Sequence, residues 1–288
     1  MGIIRRVWQT VLFGNIYIAI CASATCLQTN LLLKGSLGYS YAGFVFFSTW
    51  FLYAFQRLFL SKQYDESHFS LRRTWIVNNR NVLMFFCCIS TLGMGYLLFV
   101  MQWVLFYPMV VIGLLAASYF LPGLQLRKVL FVKNIVLAGV WAIVGVAMPV
   151  YMQRGVNEAY GSWYIVACLF LERFLFVSSL CTLFNIRDME FDATNNVRTI
   201  PSVYGIKPGK VVAIASLTGS LICSSFLYSL GFYNSPVLVA LFLSVCITMA
   251  IIYRTTAQST ESFFLFTVDG MIGLQALLVF IAFSLKLP

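Results

Sequence analysis

The chain has 288 residues, of which 61% are hydrophobic and 10% charged, with a net charge of +10 at pH 7. A soluble domain carries about 25% charged residues, so this composition excludes a soluble enzyme or nucleic-acid-binding module and describes an all-α, polytopic membrane protein. The positive charge is assigned to loops that face anionic lipid or an anionic substrate.

At the N-terminus, Arg5 and Arg6 precede an apolar run reaching Leu33. The run is longer than the core of a signal peptide and more spans follow, so it reads as a retained first helix. A span needs roughly 20 apolar residues. On that measure the sequence gives nine expected spans, at 9–30, 39–60, 82–101, 103–121, 132–152, 162–185, 210–231, 236–253 and 263–285. Short connections make several of them antiparallel hairpins, and Pro122-Gly123 and Pro208-Gly209 mark helix breaks. We read residues 1–288 as a single domain with little mass outside the membrane. Basic residues set its orientation. With the N-terminus cytoplasmic, that side collects Arg57, Arg72, Arg73, Arg127, Lys128, Lys133, Arg187 and Arg198 among others, and the far side keeps only Lys34, Arg154 and Lys286.

The polar stretch Asn185-Ile-Arg-Asp188-Met-Glu-Phe-Asp192 ends the sixth span and runs into Arg198-Thr-Ile-Pro-Ser-Val-Tyr-Gly205. On a helix, Asp188 and Asp192 share one face with Asn185 a turn earlier. Such a pair can hold Mg²⁺, which takes one or two protein carboxylates and fills its remaining positions with water and substrate phosphates. Two aspartates four apart are more often a solvated helix face; this pair stands out because it closes a span and adjoins a basic turn. Arg127, Lys128, Lys133 and Arg198 could steady a diphosphate, although loop cations also serve as plain membrane anchors.

Glu172 and Arg173 fall near the middle of the sixth expected span, and Asp269 lies in the ninth, near its cytoplasmic start. Each costs about 2.5–3.5 kcal/mol on insertion scales, so each should face a cavity or a partner. Glu172 and Arg173, adjacent on a helix, diverge by about 100° and pair poorly with each other. Asp269 is expected either in a cytoplasmic cavity or in a structural salt bridge to a neighbour such as Arg173 or Arg254. The single histidine, His68, lies in the second loop, which disfavours haem ligation or a histidine relay. The eight cysteines form no CxxC pair, so no disulfide framework or zinc site is indicated.

The stretch from Asn185 to Asp192, followed by Arg198-Thr-Ile-Pro-Ser-Val-Tyr-Gly205, resembles the second Asp-rich motif of the UbiA superfamily of intramembrane prenyltransferases. Weaker likenesses are Arg127-Lys128 with Lys133-Asn134, the run from Trp141-Ala142 to Pro149, and Val268-Asp269-Gly270 through Gln275, the last similar to a bacterial UbiA-like branch. The resemblance implies nine helices around a central cavity, a bacterial inner-membrane location and an active face toward the cytoplasm. It implies Mg²⁺-assisted ionisation of an isoprenyl diphosphate and alkylation of a lipid-soluble, commonly aromatic, acceptor. Asp188 and Asp192 would then bind metal, with Asn185 as a possible further ligand. Arg127, Lys128, Lys133 and Arg198 would stabilise the departing diphosphate. Asn134 and Asp269 would lie in the substrate cavity. Where the family carries a first Asp-rich motif, this chain reads Tyr53-Ala-Phe-Gln56-Arg57-Leu58, without a carboxylate, and Arg57 is the candidate direct phosphate ligand. Two other readings stay open: a non-catalytic UbiA-like lipid-binding or assembly protein, and a small transporter using Glu172, Arg173 and Asp269. The sequence indicates membrane lipids as surroundings, no nucleic acid, and no particular protein partner.

Overall fold

The computed structural model of the chain describes residues 2–34, 38–60, 71–101, 106–118, 131–153 and 163–285. Every regular element among them is helical, as expected where backbone polar groups must be satisfied away from water. The chain opens with α1 (Gly2–Phe13) and α2 (Ile16–Leu32), which meet at 56°. The expected first span at 9–30 is therefore broken near its start. Gly14 and Asn15 make the break: Asn15 is left-handed (φ 63°), a conformation asparagine tolerates better than most residues. Trp50 Nε1 donates to the freed Gly14 carbonyl at 2.9 Å.

Next come α3 (Tyr39–Leu60), the short α4 (Leu71–Asn78), α5 (Arg80–Val100) and α6 (Phe106–Ser118). The seventh helix, α7 (Val132–Ala142), passes through a π-helical turn at Ile143–Ala147 into α8 (Met148–Gln153). A long α9 (Trp163–Arg187) leads to α10 (Met189–Thr194) and α11 (Ile200–Tyr204), then α12 (Ile206–Ser229) and α13 (Ser235–Arg254). A second π-helical segment, Phe263–Val268, runs directly into α14 (Asp269–Ser284).

Among the described residues, six helical segments are long and apolar enough to cross a membrane: Arg80–Val100, Val132–Gln153, Trp163–Arg187, Ile206–Ser229, Ser235–Arg254 and Phe263–Ser284. Counting α1 with α2 as one broken span raises the number to seven. Both figures are below the nine read from the sequence. The helix α3 matches the expected span 39–60 in its bounds without joining the six, and part of the expected span 103–121 lies outside the described residues.

The long helices pack as a ring. The α9 helix lies against α12 and α7, α2 against α3 and α14, and α13 against α14 and α12. Leu183, Ile186, Leu217, Phe264 and Val268 meet in its interior, all fully buried. Large apolar side chains such as Leu92 (73% exposed) and Ile222 (65%) cover the outside, the pattern of a surface solvated by lipid.

The two π turns release backbone carbonyls that polar side chains must satisfy. Thr29 Oγ1 donates to Gly145 O at 2.6 Å, and Tyr41 Oη to Val144 O at 2.7 Å. Tyr17 Oη donates to Phe266 O at 3.2 Å. Inside the ring, the adjacent charges of α9 find separate neutral partners. Glu172 accepts from Tyr233 Oη at 2.6 Å and Arg173 donates to Gln275 at 2.7 Å. They diverge as their helical spacing requires.

Candidate functional site

Between α2, α3, α4, α7, α9, α10 and α14 lies a cavity of about 310 Å³. Its most polar wall forms where α9 ends. The sequence places Asp188 and Asp192 on one helix, but the structure breaks that helix at Asp188, which sits between α9 and α10 with φ −88° and ψ 4°. Asp192 N still donates to Asp188 O at 2.7 Å, so the turn persists and both carboxylates line the cavity.

The break lets Arg187 fold back on its neighbour. Its Nε lies 2.7 Å from Asp188 Oδ1 and its Nη2 3.1 Å from Oδ2. The guanidinium also lies over the rings of Phe184 and Phe264, 4.9 and 5.5 Å from their centroids, a cation–π arrangement. From α7, Lys133 Nζ reaches Asp192 Oδ2 at 2.9 Å and Oδ1 at 3.2 Å, with Asp188 Oδ2 at 4.0 Å. One ammonium thus touches both carboxylates.

These contacts push the two acids in opposite directions. Burial raises the Asp188 pKa, but the charge and hydrogen bonds of Arg187, helped by Lys133, bring it below the ordinary value. For Asp192 burial is the larger effect, and despite Lys133 its pKa stays above the ordinary value.

Asn185 lines the cavity and donates Nδ2 to Asn134 Oδ1 at 2.6 Å, while Asn134 donates to Thr182 Oγ1 at 2.9 Å. Asn134 does not line the cavity; it fixes Asn185. Arg57 lines the cavity beside Gln56 and Tyr53. Asp269 lines it too, in the field of Arg187, Arg72 and Arg57. Among the described residues Asp269 forms no ion pair to Arg173 or Arg254. Arg198 departs from expectation. It is exposed and stands outside the cavity lining, because the Thr199 capping box turns the backbone at that point. Arg127 and Lys128 lie outside the described residues.

A second cavity of about 80 Å³ shares Tyr53, Leu137 and Trp141 with the first. Its other walls, including Leu52, Val136 and Val140, are largely apolar. The charged side chains thus line the larger chamber, and an apolar annex adjoins it.

Among the described residues, no three Asp, Glu, His or Cys side chains converge as a metal cage. Two carboxylates flanking one cation position nevertheless suit Mg²⁺, which relies on phosphate and water for its remaining ligands. Asp188 and Asp192 are the residues that would hold one such ion. The chamber offers nothing comparable on the α3 wall, where Gln56 and Arg57 stand.

The sequence matches the UbiA prenyltransferase family over residues 73–269. The chain belongs to the UbiA prenyltransferase family. A solved structure of digeranylgeranylglyceryl phosphate synthase, 15% identical, superposes with a TM-score of 0.56 over 97% of each chain, so the UbiA-family chain shares that protein's fold along nearly its whole length. No curated protein matches the sequence. Asp188, Asp192, Lys133 and Asp269 all fall within the matched UbiA region, whereas Asn15, Tyr17 and Arg57 precede it.

Sequence reasoning did not select Arg72, Asn15, Arg187, Tyr17 or Tyr53 as site residues, yet all five line the cavity. Arg72 and Arg187 were legible only as basic residues on one side of the membrane. Burial is what separates Arg72 (4% exposed) from an ordinary headgroup anchor.

Proposed function

We propose that this UbiA-family membrane protein transfers an isoprenyl group from an isoprenyl diphosphate to a lipid-soluble, aromatic acceptor. The observation that carries the reading is that a cation-rich chamber, bearing Asp188 and Asp192, adjoins an apolar annex, with Tyr53, Leu137 and Trp141 lining both. An amphiphile with an anionic head and a hydrocarbon tail matches both parts. Arg57, Arg72, Lys133 and Arg187 give the chamber four cations against the carboxylates of Asp188, Asp192 and Asp269. The basic bias of the loops puts the chamber at the cytoplasmic face, and the likeness to a bacterial branch makes the bacterial inner membrane the expected location.

In the reaction, the bond between the allylic carbon and the diphosphate oxygen breaks and the ring carbon of the acceptor bonds to that allylic carbon. The ring then loses a proton, so the products are prenylated acceptor, diphosphate and a proton. Magnesium held by Asp188 and Asp192 would supply Lewis-acid neutralisation of the departing diphosphate. Lys133, released from Asp192, and Arg57 stabilise charge that grows on the leaving oxygens, the kind of interaction that lowers a barrier rather than merely binding substrate. The aromatic side chains of Tyr53 and Trp141, at the junction of the two cavities, hold the tail and keep water from the allylic carbon.

A second reading, an isoprenoid-binding protein without turnover, draws on a specific observation: both carboxylates are already neutralised within the chain by Arg187 and Lys133. Binding of a geranylgeranyl diphosphate probe, compared with geranylgeraniol, tests the site common to both readings. We expect the diphosphate to bind at least tenfold tighter in Mg²⁺, with the advantage reduced in Asp188→Asn/Asp192→Asn. Equal affinity for alcohol and diphosphate would refute an anion-reading chamber.

A further inference from the structure

A further polar pair, Asn15 and Arg72, lines the chamber. Asn15, 2% exposed, occupies the left-handed bend between α1 and α2, and Arg72, 4% exposed, reaches it from α4. Arg72 Nη2 donates to Asn15 Oδ1 at 2.8 Å, which engages the amide oxygen and leaves the amide nitrogen outside this bond. Among the described residues, Asn15 Nδ2 and Arg72 Nε are both buried without a hydrogen-bond partner, and both residues line the chamber. Folded proteins leave few buried donors unsatisfied unless a ligand or water completes them. Two buried donors and a positive charge, on two residues that line one chamber, ask for a ligand that only accepts, which is the chemistry of an oxyanion.

The charge balance agrees. Glu261 lies 3.7 Å from Arg72 Nη1, too long for a strong contact, and it stands outside the chamber lining. Burial, with the Arg57 and Arg187 charges, disfavours the ionised guanidinium, Glu261 and Asp269 only partly restore it, and the Arg72 pKa falls to about 9. The Asn15 bend has its own supports, Trp50 on Gly14 O and Phe86 against Gly14, so the amide of Asn15 is not needed to hold the bend.

We propose that Asn15 and Arg72 form an anion subsite that holds one phosphoryl group of the diphosphate by direct hydrogen bonds. The wall built by α2, α3 and α4 thus receives its share of the diphosphate through a guanidinium and an amide, while Asp188 and Asp192 serve the other share through at most one metal ion. The assignment rests on the reading of the chamber as a diphosphate site.

The test is calorimetric titration of the purified full-length protein in detergent with inorganic pyrophosphate and, separately, with benzoate, in EDTA and in Mg²⁺. We expect wild type to bind pyrophosphate in EDTA, and Arg72→Gln to weaken that binding at least tenfold. Asn15→Asp keeps the contact to Arg72 and the left-handed bend but replaces a donor with a charge that repels anions. It is expected to weaken binding similarly while unfolding at the wild-type temperature, which separates loss of the subsite from loss of the fold. Asp188→Asn/Asp192→Asn should keep the EDTA affinity and lose only the increment that Mg²⁺ adds. Pyrophosphate binding that requires Mg²⁺ and is unchanged in both Arg72→Gln and Asn15→Asp overturns the subsite and leaves the diphosphate reading standing. Loss of benzoate binding with pyrophosphate binding intact also overturns it, since the pair would then serve a carboxylate. Absence of pyrophosphate binding under every condition overturns the diphosphate reading itself.

Discussion

Lys133 on α7 and Asp192 on α10 form a two-pronged ion pair, with Nζ 2.9 Å from Oδ2 and 3.2 Å from Oδ1. The side chains are 12% and 4% exposed. A buried pair of this kind costs little to replace as a unit and much to break, because the surviving charge loses its partner. Lys133→Met alone is expected to destabilise the protein by about 3 kcal/mol, whereas Lys133→Met with Asp192→Asn should recover most of that loss. Thermal unfolding in detergent measures both. Equal losses in the single and double variants would show that the pair is not coupled.

Arg57 takes the place on α3 where the family resemblance leads one to expect carboxylates. It lines the same chamber as Asp188 and Asp192. Arg57→Ala is predicted to weaken isoprenyl diphosphate binding by about tenfold to a hundredfold, the range of one charge-assisted contact of about 1.5–3 kcal/mol. Arg57→Lys should recover part of the loss. A titration of Arg57→Ala that overlays wild type would remove this residue from the site.

The π turn at Ile143–Ala147 depends on hydroxyls from α2 and α3. Removing the Thr29 hydroxyl in Thr29→Val leaves Gly145 O without its 2.6 Å donor, with shape nearly conserved. The expected cost is about 1 kcal/mol, and Tyr41→Phe at Val144 should cost a similar amount. Because this turn borders the apolar annex, tail binding should weaken in Thr29→Val as well. Unfolding midpoints and geranylgeraniol affinity read the two effects separately.

The segment after Asp192 is fixed by a capping box: Ser202 N donates to Thr199 Oγ1 at 3.3 Å and Thr199 N to Ser202 Oγ at 2.8 Å. Thr199→Ala is predicted to cost about 1 kcal/mol and to weaken Mg²⁺-dependent binding by loosening Asp192. Thr199→Ser, which keeps the cap, should behave as wild type in both assays.

Much of this arrangement was readable because membrane helices announce themselves by apolar length, and because carboxylates at the end of a span are costly enough to stand out. Asp188, Asp192, Asn185, Lys133, Arg57 and Asp269 do line one chamber. What was not readable depended on where helices stop. Adjacent residues diverge on a continuous helix, which hid the Arg187–Asp188 pair; it forms because α9 ends at Arg187. Arg198 was expected inward on the strength of its neighbourhood, but the capped turn at Thr199 leaves it exposed. Arg72 is one of three arginines between positions 72 and 80, and only tertiary packing shows that it is the buried one. The bend at Gly14-Asn15 carries a weak local signal inside a strongly apolar run, so periodicity alone read straight through it.

The most direct test is a turnover assay with purified protein, a labelled geranylgeranyl diphosphate and a panel of aromatic acceptors in Mg²⁺, run beside Asp188→Asn/Asp192→Asn. The account predicts release of diphosphate together with a prenylated acceptor, both lost in the double variant while the protein remains folded. Tight binding of the diphosphate with no product from any acceptor, or turnover that persists in the double variant, would contradict it.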